Sequence, residues 1–305
     1  MWFKNLTVYR LPADWSASAS GLEEALARRP LQPCSPFEMR SMGWVPPATD
    51  ERLLHTLGEH HLLALGVDQK LLPASVVRQE AERRARAQAE TQGFPVARRQ
   101  MRALKMQVLE ELRARALTRR HTTRAWIDPQ GGWLVVDAAS DRRAEELIET
   151  LRDTLGSLAV RKVHTERSAS ACMAAWLMQS EAPGAFSIEQ DLELQSAEPA
   201  KSTVRYRRHP LDGKDVRAHI TGGKRPTQLG LTWNGRISFV LTEKLQVKRI
   251  EFLEVAPEQG DEEEIDPAEQ FDLDFAVMAG ELAKLLAELV RELDGQQASG
   301  RAAAA

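Results

Sequence analysis

The segment QLGLTWNGRISFVL, residues 228–241, decides the fold class. Its two apolar runs, Gln228 to Trp233 and Ile237 to Leu241, flank Asn234-Gly235, a pair that tolerates positive φ and predicts a type I′ hairpin. Outward from that hairpin, the short strand-like runs between Phe186 and Leu253 predict a mainly antiparallel sheet. Beyond them, Pro267 to about Leu293 places Phe271, Phe275, Met278, Leu282, Leu285, Leu289 and Val290 on one helical face, with Pro267 suited to the first turn. The expectation is a long amphipathic helix packed on a sheet.

Towards the N-terminus the pattern is again mixed. Phe3 to Leu11 alternates as a strand; Ser20 with Glu23 suggests a capping box for a helix that Pro30 ends. Residues 33–47 read as irregular, Leu62 to Val67 as a strand, and Pro73 to about Leu117 as two helices joined by Gln92-Gly93-Phe94-Pro95. The first helix has only a thin stripe, Val77, Ala81, Ala85 and Ala89, and can pack against one neighbour. In the second, Met101, Leu104, Val108 and Leu112 share a face, and Arg98, Arg102 and Lys105 share an adjoining one. Arg124 to Ile127 and Trp133 to Asp137 then read as a hairpin. A helix opening at Ser140 and stopping at Gly156, a short strand near Val160 and a helix from Ala169 to Met178 follow.

This gives a mixed α/β chain in four parts: a central α/β region over 1–72 and 126–180, a basic helical arm over 73–125, a sheet with the final helix over 181–294, and a disordered tail over 295–305.

The chain has 305 residues, 43% of them hydrophobic and 28% charged, with a mean hydropathy of −0.40. That profile excludes wholesale disorder, and no apolar run is long enough to span a membrane. The opening residues lack a signal-peptide pattern, so the expected location is the cytoplasm. Cys34 and Cys172 have no metal-ligand spacing and read as small buried hydrophobes.

The formal net charge of −3 conceals a strong segregation. Residues 78–124 carry 13 Lys/Arg against 5 Asp/Glu, residues 201–225 carry 8 against 2, and residues 251–294 carry 15 Asp/Glu against 2 Lys/Arg. Two separated basic segments point to a polyanionic partner; an ordinary solvated face is the competing reading.

Catalytic patterns are sparse. Gly222-Gly223-Lys224 lacks the upstream glycine and the hydroxyl residue of a phosphate loop and reads as an exposed basic turn. His60 and His61, being adjacent, point to different sides of any regular element, which is poor ligand geometry. The run Asp261 to Glu264 and the pair Asp272 and Asp274 fit a solvated, dipole-favoured helix start better than a magnesium site. Asp212-Gly213-Lys214 has the spacing of some metal-dependent nucleases but lacks a partner carboxylate. No catalytic residue, metal ligand or cofactor site is therefore assigned. In Val204-Arg205-Tyr206-Arg207-Arg208, strand alternation sets Arg205 and Arg207 opposite Tyr206, able to track phosphates without reading bases.

The chain also resembles the recombination-associated protein RdgC family over nearly its whole length. The resemblance rests on Trp2-Phe3-Lys4-Asn5-Leu6, Val8-Tyr9-Arg10-Leu11, Met42-Gly43-Trp44-Val45-Pro46-Pro47, Trp126-Ile127-Asp128, Leu151-Arg152 and Leu155-Gly156-Ser157-Leu158. It continues through Phe271-Asp272, Asp274-Phe275, Met278 and Gly280-Glu281-Leu282. It implies a horseshoe-shaped subunit with a projecting arm, paired at both ends into a homodimeric ring around duplex DNA. It also implies sequence-independent binding, nucleoid association and restraint of RecA-promoted strand exchange, without catalysis. A metal-dependent nuclease and a protein-binding scaffold are the alternatives.

On this reading the DNA contacts come from Arg83, Arg84, Arg86, Arg98, Arg102, Lys105, Arg119, Arg120 and Arg124 in the first basic segment, and from Arg205, Arg207, Arg208, Lys214 and Lys224 in the second. Leu117, the only large apolar side chain between Arg113 and Arg124, is the expected dimer contact at the arm.

Overall fold

The computed structural model describes residues 2–196, 202–253 and 266–294. The expected disordered tail and the acidic run at 261–264 lie outside the described residues.

Among the described residues twelve strands form one antiparallel sheet. Its N-terminal part comprises β1 (Asn5–Arg10), β2 (Arg40–Val45), β3 (Leu54–Leu57), β4 (His60–Lys70), β5 (Thr118–Asp128), β6 (Trp133–Asp137) and β7 (Arg161–Lys162). Its C-terminal part comprises β8 (Phe186–Ser196), β9 (Thr203–Tyr206), β10 (Lys224–Trp233), β11 (Ile237–Thr242) and β12 (Val247–Phe252). The strand order is β2-β4-β5-β6-β1-β12-β11-β10-β8-β9, with β3 on β4 and β7 on β1. The halves meet where Asn5 pairs with Lys248 and Leu6 with Val247. The fold is mixed α/β, as the sequence predicts.

The Asn-Gly turn forms as expected. Asn234 and Gly235 take φ of 51° and 67°, and the Arg236 N–H donates to the Trp233 carbonyl at 2.9 Å. Because Trp233 pairs directly with Ile237, Arg236 is an extra residue in the loop.

Helices cover the sheet unequally. On one face α5 (Ala169–Gln179), α6 (Lys214–Thr221) and α7 (Pro267–Asp294) bury a core that includes Phe3, Trp126, Trp176, Leu231, Phe239, Phe275 and Leu282. On the other, α1 (Ala19–Ala27) and α4 (Asp141–Leu155) cover only the N-terminal half, enclosing Trp44, Leu65, Ile127, Leu134 and Leu147. Among the described residues the opposite surface of β8 to β12 has no such helical layer, and it carries polar residues at alternate positions.

The arm is α2 (Ala74–Gln92) and α3 (Arg98–Arg115), packed on each other around Val77, Ala81 and Val108, a core separate from the other two. Gly93 takes φ 78° and ends α2 in the left-handed conformation that favours glycine.

Several local expectations are corrected. Ser18, not Ser20, caps α1, its oxygen accepting the Gly21 N–H at 3.1 Å. Ser140 stands at the α4 cap position without a side-chain cap bond. The stretch 33–47, expected to be irregular, contains β2, edge-paired on β4, and α6 interrupts the expected run of strands. β5 begins at Thr118, so residues expected at the end of the arm belong to the sheet.

Candidate nucleic-acid interface

On α3, Arg98, Arg102 and Lys105 are exposed along one edge, while Met101, Leu109, Leu112 and Val108 face α2. None of these three cations carries a hydrogen bond or ion pair among the described residues, so their charges stand available to an anion. Arg86 on α2 and Arg119 on β5 are likewise exposed.

Other predicted contacts carry hydrogen bonds or ion pairs within the fold. Arg83 donates twice to Glu80, at 2.8 Å each, and Arg84 joins Glu80 at 2.8 Å to Glu111 at 2.7 Å, tying α2 to α3. The Arg83 and Arg84 guanidinium groups hold the Glu80 carboxyl down at about 2. Arg120 grips the buried Asp68 carboxylate on β4 with bonds of 2.8 and 2.9 Å. Burial of Arg124 lowers the pKa of its guanidinium, which donates to the Pro47 carbonyl at 3.3 Å. Pattern reading could not foresee the distant partners of Arg84, Arg120 and Arg124, namely Glu111, Asp68 and the Pro47 carbonyl, whereas Glu80 lies within one helical turn of Arg83 and Arg84.

The second basic segment divides between the two sides of the sheet. Arg205 lies on the surface turned away from α6 and donates to Glu193 at 2.6 Å. Burial opposes the Glu193 charge, yet hydrogen bonds from Arg205 and Thr227 outweigh it and hold the carboxyl below its ordinary range. Arg207 lies beside Arg205 at the rim of a shared cavity, and Arg208 follows with φ 49°. Tyr206 points the other way, where burial and a hydrogen bond with Asp215 push its phenol up to about 12. Lys214 opens α6, and Lys224 reaches His219 on that helix at 3.2 Å. These two lysines are therefore not brought together with Arg205 and Arg207.

Leu117 is 77% exposed where the chain leaves the arm, and its carbonyl accepts the N–H of Leu71, itself 52% exposed. Sequence reasoning missed Leu71, which this backbone contact sets beside Leu117 as a second exposed leucine.

The remaining candidates take structural parts. His61 is buried against Thr56 while His60 faces Trp126 and Asp128, the divergence that adjacency predicts. Cys172 is buried in the larger core, whereas Cys34 is half-buried, its thiol donating to the Asp68 carbonyl. Asp272 meets His55 at 3.2 Å and Asp274 accepts from Gln270. Among the described residues no group of three or more His, Cys, Asp or Glu side chains is gathered as a metal site would require, and no helix is long and apolar enough to cross a membrane.

A family profile described as "Putative exonuclease, RdgC" matches residues 1–296. The chain belongs to the RdgC family. RdgC relatives carry the name "Recombination-associated protein RdgC". The one from Cupriavidus pinatubonensis (strain JMP 134 / LMG 1197) is 46% identical over 297 residues, covering 97% of this chain and 99% of its own. That from Dechloromonas aromatica (strain RCB) is 45% identical over 299 residues, covering 97% and 98%. That from Herminiimonas arsenicoxydans is 45% identical over 298 residues, covering 98% and 99%. RdgC membership thus connects the chain with recombination, while the family description and the relatives' names differ over whether a nuclease is meant.

Proposed function

We propose that this chain is a sequence-independent duplex DNA-binding protein that works as a ring-shaped homodimer in the nucleoid and restrains RecA-promoted strand exchange without cutting DNA. The observation that carries the DNA reading is the α3 edge: Arg98, Arg102 and Lys105 stand exposed on a helical hairpin, without ion-pair partners among the described residues. Cations so placed are able to neutralise phosphates, and phosphate contacts carry no sequence information. The dimeric ring and the link to RecA rest on the family resemblance, with Leu71 and Leu117 as the contact at the arm.

The nuclease reading is favoured by the wording of the family description. Incubation with supercoiled plasmid and magnesium separates the two. The DNA-binding reading expects salt-sensitive retardation of the plasmid and no nicking; reproducible nicking abolished by Asp212→Ala overturns it. Light scattering of the eluting protein should give a dimer, and a monomer that binds DNA tightly contradicts the ring.

A further inference from the structure

Three departures from regular geometry meet on the surface of β8 to β12 turned away from α5, α6 and α7. In β8, Leu192 pairs with Leu229 and Ile188 with Leu231, so Glu189, Gln190 and Asp191 together oppose Gly230. Gly230 leaves room for that bulge: a Cβ there would be tight, 3.1 Å from the Glu189 Cβ and 3.3 Å from the Asp191 Cβ. In β12, Lys248 pairs with Val240 and Glu251 with Ser238, so Arg249 and Ile250 oppose Phe239, and Arg249 takes φ 52°. The third is Arg208, just past β9, with φ 49°.

One carboxylate holds both left-handed arginines. Asp191 accepts the Arg208 backbone N–H at 3.3 Å on one oxygen and the Arg249 guanidinium at 3.4 Å on the other. Positive φ is disfavoured for a residue with a long side chain, and bulges re-aim side chains at functional surfaces. The guanidinium thus aimed borders a cavity of about 180 Å³ shared with Arg205, Arg207, Glu193 and Gln228. Three arginines face two carboxylates there, leaving a positive balance, and guanidinium forks match phosphate oxygens.

We propose that this cavity docks a backbone phosphate of DNA, with Arg249, Arg205 and Arg207 as its cationic wall and Asp191 as the positioning residue. The proposal rests on the DNA-binding reading and extends it to Arg249 and Asp191, which lie outside both basic segments.

Arg249→Asn tests it, because asparagine tolerates positive φ while removing the guanidinium. This full-length variant should melt no lower than the parent protein. Its plot of log K against log salt on a mixed-sequence duplex should lose about 0.9 in slope magnitude. Arg291→Gln, which removes the same charge from α7, should leave the slope unchanged. Asp191→Ala removes a negative charge, so tighter DNA binding would contradict a positioning role, whereas weaker binding supports it. If the parent protein fails to bind duplex, the DNA-binding reading falls; if it binds and Arg249→Asn retains the full slope, this inference alone falls. Calorimetric binding of inorganic phosphate that disappears in Arg249→Asn without any change on DNA would identify a free-anion site and overturn the DNA assignment.

Discussion

Arg120 and Asp68 are direct cross-strand partners in the β4–β5 ladder, and the guanidinium closes on both carboxylate oxygens at 2.8 and 2.9 Å. Asp68 is buried, so its charge depends on that fork, and the Arg120 hydrogen bonds hold its pKa below the ordinary value of 3.8. An arginine counted by sequence among the DNA contacts thus supports the sheet next to the arm.

Arg120→Ala should therefore cost about 1–3 kcal/mol of stability at pH 7, towards the lower end because the arginine is partly exposed, by stranding a buried carboxylate. A carboxyl with a depressed folded pKa contributes stability above its unfolded value and loses it as pH falls through the folded one. Urea denaturation of the two proteins should show the difference at neutral pH and its shrinkage below about pH 3.8. An equal difference at all pH values would contradict this account.

Tyr9 has the opposite defect. Its hydroxyl is buried without a hydrogen-bond partner among the described residues, and burial pushes its pKa up to about 12. Tyr9→Phe should be neutral or stabilising, by up to about 1 kcal/mol, because it removes an unsatisfied polar group while keeping the ring. A loss of more than about 1 kcal/mol in denaturant titration would mean that the hydroxyl has a partner.

Leu117 and Leu71 should act together in association. Leu117→Glu at an exposed position should leave the melting temperature of the subunit fold nearly unchanged while shifting the dimer towards monomer in sedimentation. A variant as firmly dimeric as the parent would remove Leu117 from the contact.

What the sequence reveals here is what local chemistry encodes. The Asn234-Gly235 turn, the apolar stripe of α7 and the two-sided α3 each follow from neighbours within a few residues, and each stands in the structure. β2 escaped because its strand character comes from pairing with β4; a Cβ on its Gly43 would stand 2.5 Å from the Leu31 backbone N. α6, with eight residues, is too short for a clear period. Site residues were legible as a class but not individually. Nothing in the sequence around Arg84, Arg120 or Arg124 indicates that Glu111, Asp68 and the Pro47 carbonyl take their donors. Arg249 sits between Lys248 and Ile250 outside either basic segment, and only the bulge shows where it points.

The most direct test of DNA binding through α3 is a salt titration of Arg98→Ala/Arg102→Ala beside the parent protein on two duplexes of unrelated sequence. Both side chains are exposed, so the variant should fold normally. The account predicts that the slope of log K against log salt falls in magnitude by about 1.8, two lost phosphate contacts, and equally on both duplexes. An unchanged slope on both would contradict it.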